Sequence, residues 1–185
     1  MEEQVALGMY LNPGNSGFTG IRNDTYVDKS GLISLVNDTI DMPRRLTCIS
    51  RPRRFGKSFA AKMLCAYYDK TCNSAGLFDD LRIAADEKIN GTYRQRLNKY
   101  DVIYIDMTYE KPYTDNYKTI VPYLSRKIGE ELKTSYPRLD TSNELPVSMM
   151  NAVELTGNKI IMIIDEWDVP IRERPEIQRT YLEFL

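Results

Sequence analysis

A chain of 185 residues, 42% hydrophobic and 28% charged, is long enough for one globular domain with its own core and too apolar to stay disordered. The net charge is −1 and there is no histidine, which excludes histidine triads and histidine acid–base catalysis and argues against structural zinc. No apolar run nears the roughly 20 residues that cross a bilayer, the start Met1-Glu2-Glu3-Gln4 has no signal-peptide pattern, and three cysteines (Cys48, Cys65, Cys72) form no paired framework, so reduced thiols and a cytoplasmic location are expected.

Residues 12–20 (Asn-Pro-Gly-Asn-Ser-Gly-Phe-Thr-Gly) read as loop by composition, so residues 1–20 are expected to form a flexible lead-in and 21–185 the domain proper. Tyr26-Val27-Asp28-Lys29-Ser30 opens a helix to about Ile40, with Leu32, Ile33, Val36 and Ile40 on one face and Asp28 or Ser30 as N-cap. A first strand is expected at 46–49, then Arg51-Pro52-Arg53-Arg54-Phe55-Gly56-Lys57-Ser58, then a helix from about Ser58 to Asp69 with Phe59, Met63 and Tyr67 on one stripe. A polar helical pattern covers 89–97 and a second strand 102–107, where Asp106 is either a further metal carboxylate or, the favoured option, a turn residue. Residues 117–133 form an amphipathic helix in which Ile120, Leu124, Ile128 and Leu132 recur every four, with Pro122 tolerated in its first turns. A helix over 146–155 precedes Lys159-Ile160-Ile161-Met162-Ile163-Ile164-Asp165-Glu166, whose five apolar residues predict a strand buried on both faces. Residues 175–185 are helical in pattern and end without a cap.

Two of these stretches carry chemistry. Gly56-Lys57-Ser58 after a strand and before a helix is the context of a phosphate-binding loop, in which successive N–H groups and the helix N-terminus converge on phosphate. Asp165 and Glu166 follow an apolar strand, at the edge where open α/β sheets bind ligands. Asp165 is placed to hold Mg²⁺ and Glu166 to polarise a water for attack on a γ-phosphate. Either stretch alone could be a helix start or a polar turn; their order in one chain favours nucleotide binding. Charge follows the same division: between Arg44 and Tyr68 there are seven Lys or Arg and no acid, and from Asp165 onward six acids against three bases. The general phosphate loop carries Gly where Arg51 stands, and Arg51-Pro52 must enter the loop by a different backbone path.

The motifs Tyr26-Val27-Asp28-Lys29-Ser30, Arg51 through Ser58, and Ile164-Asp165-Glu166-Trp167-Asp168-Val169-Pro170-Ile171 together resemble the AAA-ATPase-like proteins of bacteria and archaea, often fused to a restriction-endonuclease-like nuclease domain. Trp167 stands where that family more often has Tyr, and the Arg51 loop is one the family itself normally carries. The resemblance spans about Phe18 to Ile171. It implies an α/β P-loop NTPase-like three-layer sandwich with a mostly parallel sheet, here incomplete at the C-terminus, with ATP and Mg²⁺ as cofactors. Lys57 is then the phosphate lysine and a catalytic residue with Glu166, and Ser58 and Asp165 are the Mg²⁺ ligands. Arg53, Arg54, Phe55, Gly56 and Phe59 complete the phosphate cradle. Arg22 and Tyr26 become candidate base or ribose contacts, with core packing an equal alternative for Tyr26.

The expected function is MgATP binding with ATP hydrolysis. The alternatives are a nucleotide-gated interaction module without efficient turnover, a small-molecule or nucleoside kinase, and a nucleic-acid-binding segment at 44–62. Nucleotide is the expected partner, with self-association open, nucleic acid less favoured at this net charge, and no membrane.

Overall fold

The computed structural model describes residues 9–43, 45–50, 55–85 and 91–185. It divides the chain into two compact units, Asn12–Val102 and, with residues 9–11, Ile103–Leu185.

The first unit is helical. Helix α1 (Ser16–Arg22) buries Phe18 and Ile21, α2 (Gly31–Asn37) buries Ile33 and Asn37, and α3 (Lys57–Tyr68) buries Met63, Leu64, Ala66, Tyr67 and Tyr68. Short helices α4 (Ala75–Phe78) and α5 (Tyr93–Arg96) add Phe78 and Tyr93. Phe18 stacks on Phe78, and the Tyr67 ring meets Phe78 edge-on and stacks on Tyr93, so the core of this unit is largely aromatic. The Tyr67 hydroxyl donates to the Tyr93 carbonyl at 2.6 Å and Tyr68 to Asn37 at 2.8 Å, so the polar ends of these buried rings are satisfied.

The second unit holds the sheet and its covering helices. Strand β1 (Asp101–Asp106), which begins in the first unit, pairs in parallel with β2 (Ile160–Asp165). Between them come α6 (Met107–Glu110), a 3₁₀ turn (Lys111–Tyr113), α7 (Ile120–Ser135) and α8 (Leu145–Thr156), closed by left-handed Gly157. After β2 follow α9 (Val169–Glu173), a second 3₁₀ turn (Pro175–Ile177) and α10 (Gln178–Phe184). The four-residue repeat of α7 is the centre of the core: Ile120, Leu124, Ile128 and Leu132 are all buried, each contributing about 1.5–3 kcal/mol. Leu11 bridges Ile103 in antiparallel sense, and the Glu131 carboxylate of α7 accepts the N–H groups of Met9, Tyr10 and Leu11 at 2.9, 2.9 and 2.8 Å.

Several expectations change. The loop expected over 12–20 is helical from Ser16, because Phe18 and Ile21 give that stretch a face to bury. The helix expected from Tyr26 starts only at Gly31; Tyr26 to Ser30 is a turn, held by Asp28 Oδ1 accepting the Ser30 N–H at 2.8 Å. Residues 45–50 form no strand and are exposed, with Leu46 at 88%. An apolar run becomes a strand only beside a ladder partner, and among the described residues β1 and β2 pair with each other. For the same reason β2 is half-buried along its apolar residues rather than covered on both faces. The helical pattern at 89–97 survives as Tyr93–Arg96, with 86–90 outside the described residues. Phe59 leaves its predicted stripe and is 49% exposed, while Met63 and Tyr67 are fully buried. Asp106 takes the turn role: its Oδ1 caps α6 by accepting the Thr108 N–H at 3.0 Å. No described helix is long and apolar enough to cross a membrane.

Candidate functional site

The sequence-predicted residues fall in both units, and each set is built by its own local structure. In the first unit Gly56 is the residue before α3, at φ 73° and ψ 36°. An ordinary L-residue costs about 1–2 kcal/mol in that conformation, so glycine is what lets the chain turn from Phe55 straight into the helix. Gly56, the N-cap of α3, brings no side chain to cap the helix. The first helical bond runs from the Ala60 N–H to the Gly56 carbonyl at 3.0 Å, and the N–H groups of Lys57, Ser58 and Phe59 precede it. These lie at the positive end of the helix dipole, with the Lys57 and Ser58 side chains half-buried and Phe55 and Phe59 exposed beside them. Such a turn can accept an anion. Arg53 and Arg54 lie outside the described residues.

The Tyr26–Ser30 turn stands against this loop. Lys29 Nζ donates to the Phe55 carbonyl, and a Cβ on Gly56 would come within 2.5 Å of the same nitrogen. The turn itself is tied down from several sides. Asp28 accepts the N–H of Arg82 at 2.9 Å as well as that of Ser30, and buried Ser30 accepts the Ile83 N–H at 3.1 Å. Burial pushes the Asp28 carboxyl up, but the Arg82 and Ser30 N–H donors outweigh it and hold it below the ordinary carboxylate value. The Tyr26 hydroxyl donates to Met63 Sδ at 3.3 Å and accepts the Lys29 N–H at 3.2 Å, and its ring meets Phe18 edge-on. Arg22 grips both Asp80 oxygens at 2.6 and 2.8 Å and lies over the Tyr26 ring, 5.4 Å from its centre.

In the second unit Asp165 is the last residue of β2 and only 5% exposed. Its Oδ1 accepts the Glu166 N–H at 3.0 Å, while its buried Oδ2 has no hydrogen-bond partner. A buried carboxylate oxygen left unpaired is costly, and a cation is the partner such an atom fits. Glu166 is half-buried and adopts φ 52°, left-handed for a residue with a long side chain. The turn is locked by the Val169 N–H to the Glu166 carbonyl at 3.0 Å and by fully buried Tyr181 of α10, whose hydroxyl donates to the Trp167 carbonyl at 2.8 Å. A groove along α7, lined by Thr119, Tyr123, Arg126, Gly129, Lys133 and Ser142 among others, touches none of the predicted site residues.

Sequence reasoning missed two supporting residues. Lys29 stood inside the Tyr26–Ser30 motif but, without its fold, nothing aimed it at Phe55; Tyr181 lay in the helical pattern of 175–185, which gave no sign of which carbonyl it would meet.

The site features are those of an α/β protein with a glycine-turned helix start bearing Lys-Ser and a strand ending in a buried aspartate. The chain belongs to the AAA-ATPase-like family, described as predicted AAA-ATPase, whose family model matches residues 14–185. Neither a curated protein nor a solved structure gives a significant match.

Proposed function

We propose that this chain binds ATP with Mg²⁺ and hydrolyses it, within a P-loop sandwich of mostly parallel strands. The observation that carries it is left-handed Gly56 opening α3 with Lys57 and Ser58 as the first helical residues. That arrangement offers N–H donors, the helix dipole and an ammonium to phosphate oxygens without any change of secondary structure. In this role the N–H groups of Phe55 to Phe59 line the cradle, Lys57 offsets phosphate charge and the Ser58 hydroxyl binds Mg²⁺. Arg53 and Arg54 contribute further positive charge, to this nucleotide or a neighbour's. Arg22 and Tyr26, already ordered by Asp80 and Met63, are the candidates for the nucleoside side.

The unpartnered Oδ2 of Asp165 supports assigning it a cation. Mg²⁺, when bound, neutralises charge on the phosphates and their leaving group. Glu166 orients and deprotonates the water that attacks the γ-phosphorus, giving ADP and inorganic phosphate. A second outcome is favoured by exposed Phe55 and Phe59 flanking Gly56-Lys57-Ser58: nucleotide binding that gates an interaction without efficient turnover.

Calorimetric titration of MgATP into the wild type and Lys57→Ala tests binding. Heat that vanishes in Lys57→Ala supports the assignment; a folded wild type that takes up no nucleotide refutes it. Loss of phosphate release in Glu166→Gln, with binding kept, supports hydrolysis over gating. A double-mutant cycle between Ser58→Ala and Asp165→Asn reports whether both residues serve the same cation.

A further inference from the structure

The Lys29 ammonium is brought to the phosphate loop by a turn with little freedom. Asp28 is pinned by two backbone N–H groups, Ser30 is fully buried and bonded to the Ile83 N–H, and the Lys29 N–H itself is held by Tyr26. Four hydrogen bonds thus fix the backbone on both sides of a flexible lysine whose tip ends on one atom, the Phe55 carbonyl oxygen, beside Gly56. A loop that takes phosphate must keep its carbonyl oxygens occupied elsewhere and its N–H groups available, because a carbonyl dipole facing an oxyanion is repulsive. Lys29 does the first directly. Its ammonium carries three donors, and the Phe55 carbonyl uses one of them.

Resting on the nucleotide reading above, we propose that Lys29 is a second lysine of the phosphate site, holding the Phe55 carbonyl and donating its other N–H groups to the phosphate oxygens of a bound nucleoside triphosphate. The chemistry recognised is a polyphosphate: Lys29 reaches the Gly56 turn from outside the loop while Lys57 belongs to the loop itself, and a chain of phosphates offers oxygens on more than one phosphorus for two lysines to share. Lys29 also explains in part why Gly is needed at position 56, since a side chain there would displace the ammonium as well as strain the backbone.

The test is calorimetry on the full chain with MgATP and with inorganic tripolyphosphate, for wild type, Lys29→Ala, Lys29→Gln, Lys29→Arg and Lys57→Ala. Removing one charge-assisted contact is expected to weaken both ligands by about tenfold in Lys29→Ala, with most of the affinity recovered in Lys29→Arg. The ligand-free thermal midpoint of Lys29→Ala should fall by only about 2–4 °C, the cost of the lost bond to the Phe55 carbonyl. Should Lys29→Ala fold poorly, Lys29→Gln carries the test, because its amide can still donate to the Phe55 carbonyl while lacking charge. Wild-type affinity in Lys29→Gln and Lys29→Ala, alongside lost binding in Lys57→Ala, overturns the Lys29 proposal and leaves the phosphate-loop assignment standing. Absence of binding by wild type overturns both.

Discussion

Replacing Gly56 by alanine tests the local logic of the loop before any nucleotide is added. The backbone there is at φ 73°, where a Cβ costs about 1–2 kcal/mol. The new methyl would also sit 2.5 Å from Lys29 Nζ, so the lysine must release the Phe55 carbonyl, at about a further 1 kcal/mol for an exposed charge-assisted bond. Together the loss is about 2–3 kcal/mol, or roughly 4–12 °C in thermal midpoint for a chain of this size. Urea unfolding followed by circular dichroism measures it, and hydrogen exchange of the first turn of α3 shows where it falls. Gly129→Ala is the control: position 129 lies inside α7, nothing stands within 4 Å of the added methyl, and helix propensity alone should raise stability by about 0.5–1 kcal/mol. If Gly56→Ala proved as stable as wild type while Gly129→Ala behaved as expected, neither the left-handed turn nor the Lys29 contact would have the part assigned to it.

Three further outcomes follow from single contacts. Glu131→Ala removes one carboxylate from three backbone N–H groups and should cost about 2–3 kcal/mol, read by unfolding and by faster hydrogen exchange at buried Tyr10 and Leu11. Burial, aided by the Asp106 charge, raises the Glu110 carboxyl above its ordinary 4.5 despite the Tyr10 hydroxyl that donates to it. The folded chain therefore holds that proton more tightly than the unfolded one. The stability from this group is full below the ordinary value and is lost as pH rises through the raised one; Glu110→Gln should flatten that part of the pH–stability curve, measured by urea midpoints. Asp165→Asn exchanges a buried, unpartnered carboxylate oxygen for a neutral group. It should leave stability unchanged or raise it by about 1 kcal/mol, while abolishing the difference between ATP affinity with Mg²⁺ and with chelator.

What the sequence made legible was whatever depends on local pattern. The α7 stripe of Ile120, Leu124, Ile128 and Leu132 needs only a 3.6-residue period, and all four are buried. The end of β2 at Asp165 and the start of α3 at Lys57 follow from an apolar run meeting carboxylates and from a glycine before a helical stretch. What failed depended on partners. Residues 46–49 have strand composition, but composition cannot supply a neighbour, and they run exposed with no ladder. The same omission made β2 read as fully buried when, among the described residues, it has one strand beside it. Residues 16–22 contain two glycines that suggested a loop, yet burying Phe18 and Ile21 outweighs their roughly 1 kcal/mol cost apiece. The contact from Lys29 to Phe55 joins residues 26 apart, beyond the reach of any local pattern.

Backbone strain gives an independent route to the carboxylate turn. Among the described residues six other than glycine have positive φ, and Asn12, Asn98, Asp115 and Asn116 are of the types that tolerate it. Tyr117 and Glu166 are not. Tyr117 is compensated by a buried ring whose hydroxyl donates to the Met107 carbonyl at 3.0 Å. Glu166 has no comparable burial, and its position is imposed by the Asp165, Val169 and Tyr181 hydrogen bonds around it. Holding a residue there costs about 1 kcal/mol, and the role proposed for the Glu166 carboxylate gives that cost a purpose that experiment can check. Asparagine accepts the same backbone at less cost, so Glu166→Asn should gain about 0.5–1 kcal/mol in unfolding experiments while losing phosphate release. Glu166→Gln, which keeps the strain, should lose release with stability unchanged. Lowered stability in Glu166→Asn would mean that the carboxylate is structural, and persistent release in both variants would remove Glu166 from the reaction altogether.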